Sequence, residues 1–430
     1  MRIAVIGSGY AGTTLAAGLA ALDHDVTAVD IDPEIVSSIN AGDAPIHEPG
    51  LDQLLSEHAG QNLTATTEYA AIRDAAIVFI AVQTPSREDG SIDVAPLRGA
   101  VQSAARTLAE ESHRDDGHVV AIKSTVTPPQ VSALRDEILE IAGDAVHLEL
   151  AMNPEFLREG SAVEDFLNPN KLVFGTDASL ARERLEAAFA PLIADASPAV
   201  IHTDPETAAM IKYANNAFLA AKISLINDLG NICKVFGIDT YEVAEAIGTD
   251  DRIGERFLRS GVGFGGSCFP KDVRAIIAAS TEAGYEPSLL SAALAVNDGQ
   301  PDRMLDLLER HTTPAESRVA VLGLAFKPGT DDIRNSRSIP VIEGLLERGA
   351  TVIAYDPVAT KQMRERFPDI EYARSAREAL DGAGAALVLT AWDEFAALNG
   401  AFEEMSDRIV IDGRRVIEPQ DGMTYEGLTW

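Results

Sequence analysis

Residues 2–32, RIAVIGSGYAGTTLAAGLAALDHDVTAVDID, decide the fold. The run from Arg2 to Ile6 is apolar and partly β-branched, the pattern of a strand buried on both faces. Gly7-Ser8-Gly9-Tyr10-Ala11-Gly12 follows at once and places G-x-G-x-x-G between that strand and an Ala/Leu-rich helix expected over 11–22. Glycines at this spacing allow a tight turn, close approach of backbone to a diphosphate, and close packing of helix on strand. The second strand, DVTAVDID, brings Asp30 to its end. An acidic group there accepts hydrogen bonds from an adenosine ribose and repels a 2′-phosphate. Gly7, Gly9, Tyr10, Ala11, Gly12 and Asp30 are therefore a candidate NAD site, with NADP disfavoured. Asp32 is the alternative acid, Asp30 then being a strand-end turn residue.

Working outward, AAIVFIAVQT (75–84), GHVVAIKST (117–125), HLELAMNPEF (147–156) and NKLVFGT (170–176) are further strand candidates separated by helical patterns. The alternation predicts a doubly wound parallel sheet in a first domain, 1–200. Strand ends in such sheets face the ligand crevice, so Thr84 and Thr125 are candidate cofactor or substrate contacts, although either could be a turn residue. From Pro205 to Val235 the texture becomes continuously helical, with Asp204 as N-cap and Pro205 in the first helical position. YEVAEAIG, ERFLRS and the 284–298 stretch continue the helical pattern, giving an all-helical central domain, 201–300. Its long helix suits a dimer spine or a buried intrachain helix. SRVAVLGLAF (317–326), ATVIAYDP (350–357), GAALVLTAW (384–392) and DRIVIDGR (407–414) open a second βαβ set, 301–430, that lacks the glycine fingerprint. A second dinucleotide site is not expected there, while a mononucleotide or nucleotide-sugar site is open. The expected fold class is α/β: two Rossmann-like doubly wound domains joined by a central helical domain with a long connecting helix.

Composition limits the partners. The net charge is −32, with acids spread along the chain rather than gathered in a tail. Such a surface repels nucleic acid and anionic membranes. It suits a salt-rich cytoplasm, where ions screen self-repulsion. No apolar run reaches the length of a membrane span. Met1 leads straight into the first strand, so no signal peptide is expected and a cytoplasmic location is. Two cysteines in 430 residues make no disulfide framework, and no metal is expected. Only eight of 35 basic residues are lysine: Lys123, Lys171, Lys212, Lys222, Lys234, Lys271, Lys327 and Lys361. A chain that has largely discarded lysine has kept these for a purpose or by chance on solvated faces.

Three stretches carry candidate chemistry. GVGFGGSCFPKD (261–272) sets Cys268 in a glycine-dense loop with Lys271 and Asp272 within a helical turn. A thiol beside a cation can be a reactive thiolate, and free cysteine is as commonly core filler, so this stretch alone leaves both readings open. NPEFLREG (153–160) brings Glu155 to a strand end as a general base, a water positioner, or part of a helix-start cluster. Lys212 and Asn216, spaced i, i+4, share a helix face and could hold a developing oxyanion or form a solvated stripe.

NPEFLREGSA, IKYANNAFLAAKIS, DDRIG, GFGGSCFPKD, GLAFKPGTDDIRNS and IDGR, in this order along the chain, resemble the motifs of the UDP-glucose 6-dehydrogenases among the nucleotide-sugar dehydrogenases. The resemblance implies oxidation of a UDP-glucose alcohol to an acid with two NAD per turnover, and a homodimer. It implies that Cys268 is the nucleophile, partnered by Lys212, Asn216 and Asp272, and that Glu155 and Thr125 position water and the reacting end of the sugar. Phe156, Leu157, Phe264, Gly265 and Lys327 are implied on the substrate side, Lys271 and Arg334 on the cofactor side, and Arg252 at a partner's substrate. Two departures stand out: Thr127-Pro128-Pro129-Gln130 replaces P-G-T, and Lys171 stands where an arginine is frequent. GDP-mannose 6-dehydrogenases share the two-oxidation plan and are the rival within the class, while a two-electron hydroxyacid dehydrogenase would need neither Cys268 nor a third domain. A non-catalytic NAD-binding relative has no use for the full set of Cys268, Lys212, Asn216 and Asp272.

Overall fold

The computed structural model describes residues 1–111, 116–143 and 146–430. The chain divides into two compact units, Met1–Asn215 and Asn216–Trp430. The division falls inside one helix, Pro205–Phe236, which starts where expected: Asp204 Oδ1 accepts the Thr207 N–H at 2.7 Å.

The first unit is built on an eight-stranded sheet: β1 (Arg2–Ile6), β2 (Asp25–Val29), β3 (Leu63–Thr66), β4 (Ile77–Ile80), β5 (His118–Ile122), β6 (Leu148–Met152), β7 (Lys171–Gly175) and β8 (Ala199–Thr203). The order is β3-β2-β1-β4-β5-β6-β7-β8. The central strands are buried along nearly their whole length because helices cover both faces. One face packs Leu15, Leu19, Phe79, Phe166 and Phe189, and the other Val78, Leu97, Val101, Leu134 and Ile138. β1 to β6 are parallel, but β7 runs antiparallel to β6 through Met152 and Gly175, and β8 follows β7. The parallel sheet expected to run through 170–176 thus reverses at its last two strands. Strand direction is set by the connection, and the apolar pattern carries no record of it.

The second unit holds the rest of the long helix, helices Thr240–Gly248, Phe269–Glu282 and Ser288–Glu309, and a six-stranded parallel sheet. Its strands are β9 (Arg318–Leu322), β10 (Thr351–Tyr355), β11 (Glu371–Tyr372), β12 (Ala385–Val388), β13 (Ile409–Asp412) and β14 (Thr424–Gly427), in the order β11-β10-β9-β12-β13-β14. Met304, Leu305, Val341 and Leu345 fill one side, and Leu380, Phe395 and Phe402 the other.

Two parts of the all-helical expectation for 201–300 fail. Residues 201–203 belong to β8, and ERFLRS is not helical. That segment lies between Gly254 at φ +68 and Gly261, with Phe257 itself at φ +66. Six residues between such punctuation cannot offset the cost of nucleating a helix. Among the described residues no helix is long and apolar enough to cross a membrane, and no group of His, Cys, Asp or Glu could hold a metal ion.

Candidate active site

The glycine fingerprint folds as a dinucleotide cradle. Gly7 sits at φ +92 just beyond β1, its N–H on Val29 O at 2.8 Å. A Cβ on Gly12 would lie 1.8 Å from Gly7 O, so helix Tyr10–Ala21 reaches the turn only with glycine there. A Cβ on Gly9, the N-cap of that helix, would meet nothing within 4 Å. The helix N-terminus is therefore approachable, as a diphosphate seeking amide donors and a positive dipole end requires. Asp30 Oδ2 accepts the Ser8 N–H at 2.5 Å, which aims the carboxylate at the glycine turn. Asp32 instead accepts the Glu34 N–H and caps helix Pro33–Ala41. These residues fit NAD. The matching turn of the second sheet does not. A Cβ on Gly323 would lie 2.5 Å from Thr390, and the next helix, Ser338–Glu347, opens only after a long loop. Asp356, the counterpart of Asp30, is committed to the N–H groups of Leu324, Ala325, Val358 and Ala359 and to Trp392 Nε1.

Beside the cradle, β5 and β6 deliver a buried polar cluster. Lys212 Nζ lies 2.7 Å from Glu155 Oε1, with the two side chains only 4% and 14% exposed. Glu155 Oε2 also accepts the Leu157 N–H at 2.6 Å, so the segment is a loop closed by its own carboxylate rather than a helix start. Burial acts to raise the Glu155 carboxyl, but Lys212, the Leu157 N–H and Lys123 together hold it below the usual carboxylate range. Phe156 lies beneath two ammonium groups, Lys171 at 4.2 Å and Lys212 at 5.5 Å from the ring centroid. Lys171 donates to Asn215 Oδ1 at 2.7 Å, and burial, then Lys212, lowers its pKa. Thr84 Oγ1 donates to Thr125 O at 3.0 Å, joining the two strand ends named from sequence. Two further residues had no role assigned from the sequence: Lys123, named there only as one of the few lysines, and Glu48. Lys123, buried just beyond β5, donates to Asn153 Oδ1 at 3.0 Å. Glu48, also buried, accepts the N–H groups of Gly160 (2.7 Å) and Ala162 (2.6 Å), and Tyr10 Oη takes the same Gly160 N–H at 2.8 Å. The Glu155 loop is thereby tied to the fingerprint helix. Neither partner pair is close in sequence, so no local pattern announces them.

In the second unit, Cys268 is the N-cap of helix Phe269–Glu282, a position that favours an anion, and is partly accessible with Ser267 Oγ 3.4 Å from its sulfur. Four residues on, Asp272 is 1% exposed and shared by two donors: Asn216 Nδ2 at 2.7 Å and Lys271 Nζ at 2.6 Å. The glycines before the cysteine have a packing reason. Cβ atoms on Gly261 and Gly265 would lie 2.2 Å from Gly413 O and Asn335 O, and one on Gly266 would strike the Phe326 ring at 2.7 Å. The loop is pressed against the 326–335 and 412–414 segments, which carry Lys327, Arg334 and Arg414. Lys327 sits 5.6 Å above the Phe326 ring. Arg334 is exposed and forks onto Asp332. Arg414, absent from the residues singled out in the sequence, donates to Leu389 O, and burial pushes its guanidinium down to about 10. Phe264 is buried against Ala217, Ala220 and Val273. Arg252 stands apart, fully exposed and paired only locally with Asp250.

A fingerprint cradle that fits NAD, with a buried acid–lysine pair and a helix-capping cysteine, defines an NAD-dependent oxidoreductase. Three profiles of one family match the chain in order: the NAD binding domain over residues 1–193, the central domain over 206–299 and the UDP binding domain over 320–419. The chain belongs to the UDP-glucose/GDP-mannose dehydrogenase family. It is 58% identical to the UDP-glucose 6-dehydrogenase AglM of Haloferax volcanii, with all of both chains covered. Among solved structures, a UDP-glucose dehydrogenase from the hyperthermophilic archaeon Pyrobaculum islandicum superimposes with a TM-score of 0.91 at 36% identity, covering 100% of this chain and 98% of that one. The UDP-D-ManNAc dehydrogenase of Pyrococcus horikoshii gives 0.87 at 29%, covering 100% and 99%.

Proposed function

We propose that this chain is a UDP-glucose 6-dehydrogenase that oxidises C6 of the glucose to a carboxylate through a covalent intermediate on Cys268. The observation that carries the reading is the placing of Cys268 at a helix N-terminus, one turn before a buried Asp272 held by Asn216 and Lys271. Full-length similarity to UDP-glucose 6-dehydrogenases supports the sugar.

Bound NAD supplies the hydride acceptor for both oxidations, two per turnover. Gly7, Gly9, Tyr10, Ala11, Gly12 and Asp30 hold it, and Thr84, Thr125, Glu155, Lys271 and Arg334 are assigned as further cofactor contacts. An aldehyde has no ready hydride to give. Attack by the Cys268 thiolate converts it to a thiohemiacetal, and oxidation of that adduct leaves a thioester. Water positioned by Glu155 or Asp272 then releases the acid and returns the thiol. Lys212 and Asn216 stabilise the oxyanion of each tetrahedral stage. Phe156, Leu157, Phe264, Gly265 and Lys327 line the nucleotide sugar. We assign 1–200 to NAD binding, 201–300 to dimerisation and 301–430 to the UDP-sugar.

Two copies pair in this reading. The long helix leaves Phe218, Leu225 and Ile232 exposed at seven-residue intervals, followed by Val235 and Phe236. So apolar a stripe on so acidic a protein calls for a partner. Arg252, exposed and locally paired, is assigned to the partner's substrate. The acidic surface and the sparing use of cysteine suit a reducing, salt-rich cytoplasm.

The test offers UDP-glucose, GDP-mannose and UDP-N-acetylhexosamines with NAD at high and low salt. Two NADH per UDP-glucose, with the other sugars inert, is the expected result; one NADH per sugar refutes the four-electron reading.

A further inference from the structure

Three of the eight lysines in this lysine-poor chain gather around one short loop. Lys171 and Lys212 cover Phe156, and Lys212 takes Glu155. The third, Lys123, has no part in the reaction scheme above. Its side chain is buried among strand ends, where an ammonium is costly unless something requires it. Its Nζ donates to Asn153 Oδ1 at 3.0 Å, and Asn153, 1% exposed, uses its own Nδ2 on Val173 O at 2.9 Å. Asn153 opens the segment that carries Glu155. The lysine therefore fixes the root of that loop to β5, while Asn153 fixes it to β7. The charged groups acting on Lys123 are Glu155, which favours the ammonium, and Lys212, which opposes it, and Lys123 in turn favours the Glu155 carboxylate.

We propose that Lys123 is a positioning residue for Glu155: through Asn153 it anchors the Asn153–Leu157 loop, and its charge adds to that of Lys212 in favouring the Glu155 carboxylate. The proposal rests on the reading of Glu155 as a site residue, but its test needs no substrate. Burial pushes the Lys123 ammonium down to about 8, so its charge is adjustable near neutral pH rather than fixed.

The experiment follows the side-chain carboxyl of Glu155 by carbon NMR in the full-length protein labelled at the glutamate carboxyl carbon, the signal being the one that Glu155→Gln removes. Lys123→Met removes charge and hydrogen bond, Lys123→Gln removes charge and keeps a donor, and Lys123→Arg keeps both. Both neutral variants are expected to raise the Glu155 midpoint by about one pH unit, and the arginine variant to leave it in place. In the wild type, discharge of Lys123 should add a small second inflection to the same signal near pH 8. That inflection serves as the readout should the neutral variants fail to fold. If UDP-glucose is turned over, the acid limb of kcat moves with the midpoint. A midpoint unmoved in both neutral variants, an arginine variant that shifts as far as methionine, or a wild-type signal flat through pH 8 would each overturn the proposal. Failure of UDP-glucose turnover alone would strike the proposed function and leave this titration standing.

Discussion

Lys212 and Glu155 form an ion pair of 2.7 Å whose two ends are almost out of water. A buried pair of this kind adds little net stability when intact, yet breaking it strands a charge and costs about 3–5 kcal/mol. Lys212→Met should therefore destabilise the protein at pH 7 by roughly that amount. The pH dependence follows from the direction of the Glu155 shift. Its folded pKa lies below the ordinary 4.5, so its contribution is present above that pH and is lost as pH falls through the folded value. The stability gap between wild type and Lys212→Met, measured by denaturant unfolding in high salt, should thus narrow on acidification. Activity should fall about 10²- to 10³-fold, the cost of one oxyanion donor.

Cys268→Ser keeps an oxygen at the helix N-terminus but not the nucleophile. A serine hydroxyl in that place is far less ionised than a thiol. The variant should bind NAD normally and stall at or before the acid, with kcat for carboxylate formation down by at least about 10³-fold. Chromatographic assay of the products settles it: full conversion to the acid at wild-type rate would end the covalent mechanism.

Asp30 and Asp32 are separated by one residue and by role. Asp30 aims at the glycine turn, and Asp32 is spent on a helix cap. Asp30→Ala should raise KM for NAD about 10- to 100-fold, the worth of a hydrogen bond to a charged group, and narrow the preference over NADP. Asp32→Ala should lose about 1 kcal/mol of stability and leave KM for NAD unchanged. Equal effects of the two substitutions on KM would show the assignment to be wrong.

The contrast between those two aspartates also marks how far the sequence could be read. β1, the fingerprint and the first helix are legible because sterics demand glycine at Gly7 and Gly12 and burial demands unbroken apolar strands. The cysteine loop is legible as a motif, but its glycines turn out to be needed against Gly413, Asn335 and Phe326, partners far along the chain. β11, with two residues, and β14, at the sheet edge, bury too little to leave a pattern. The reversal at β7 has no local signature either. Lys123 and Glu48 went unassigned for the same reason: a buried charge is defined by what folds over it, and its own neighbours in sequence say nothing of that. Asp30 against Asp32 stayed open until the side chains were placed, since both residues suit the motif at this spacing.

The exposed stripe on the long helix supplies the last prediction. Phe218 and Leu225 are 73% and 61% exposed, one heptad apart. Burial of such side chains is worth about 1.5–3 kcal/mol each, and a symmetric pairing uses each of them twice. Phe218→Asp and Leu225→Asp, made together, place charges in that seam and require their desolvation. Their net effect on the isolated chain should be small, because in a single copy both sites face water. Sedimentation velocity at high salt should therefore show a dimer for wild type and a folded monomer for the double variant, with unchanged far-ultraviolet circular dichroism. The activity of that monomer is informative as well: with Arg252 assigned to a partner's substrate, KM for UDP-glucose should rise at least about tenfold while NAD affinity holds. A double variant that sediments as wild type would place the interface elsewhere and remove the support for Arg252 acting across it.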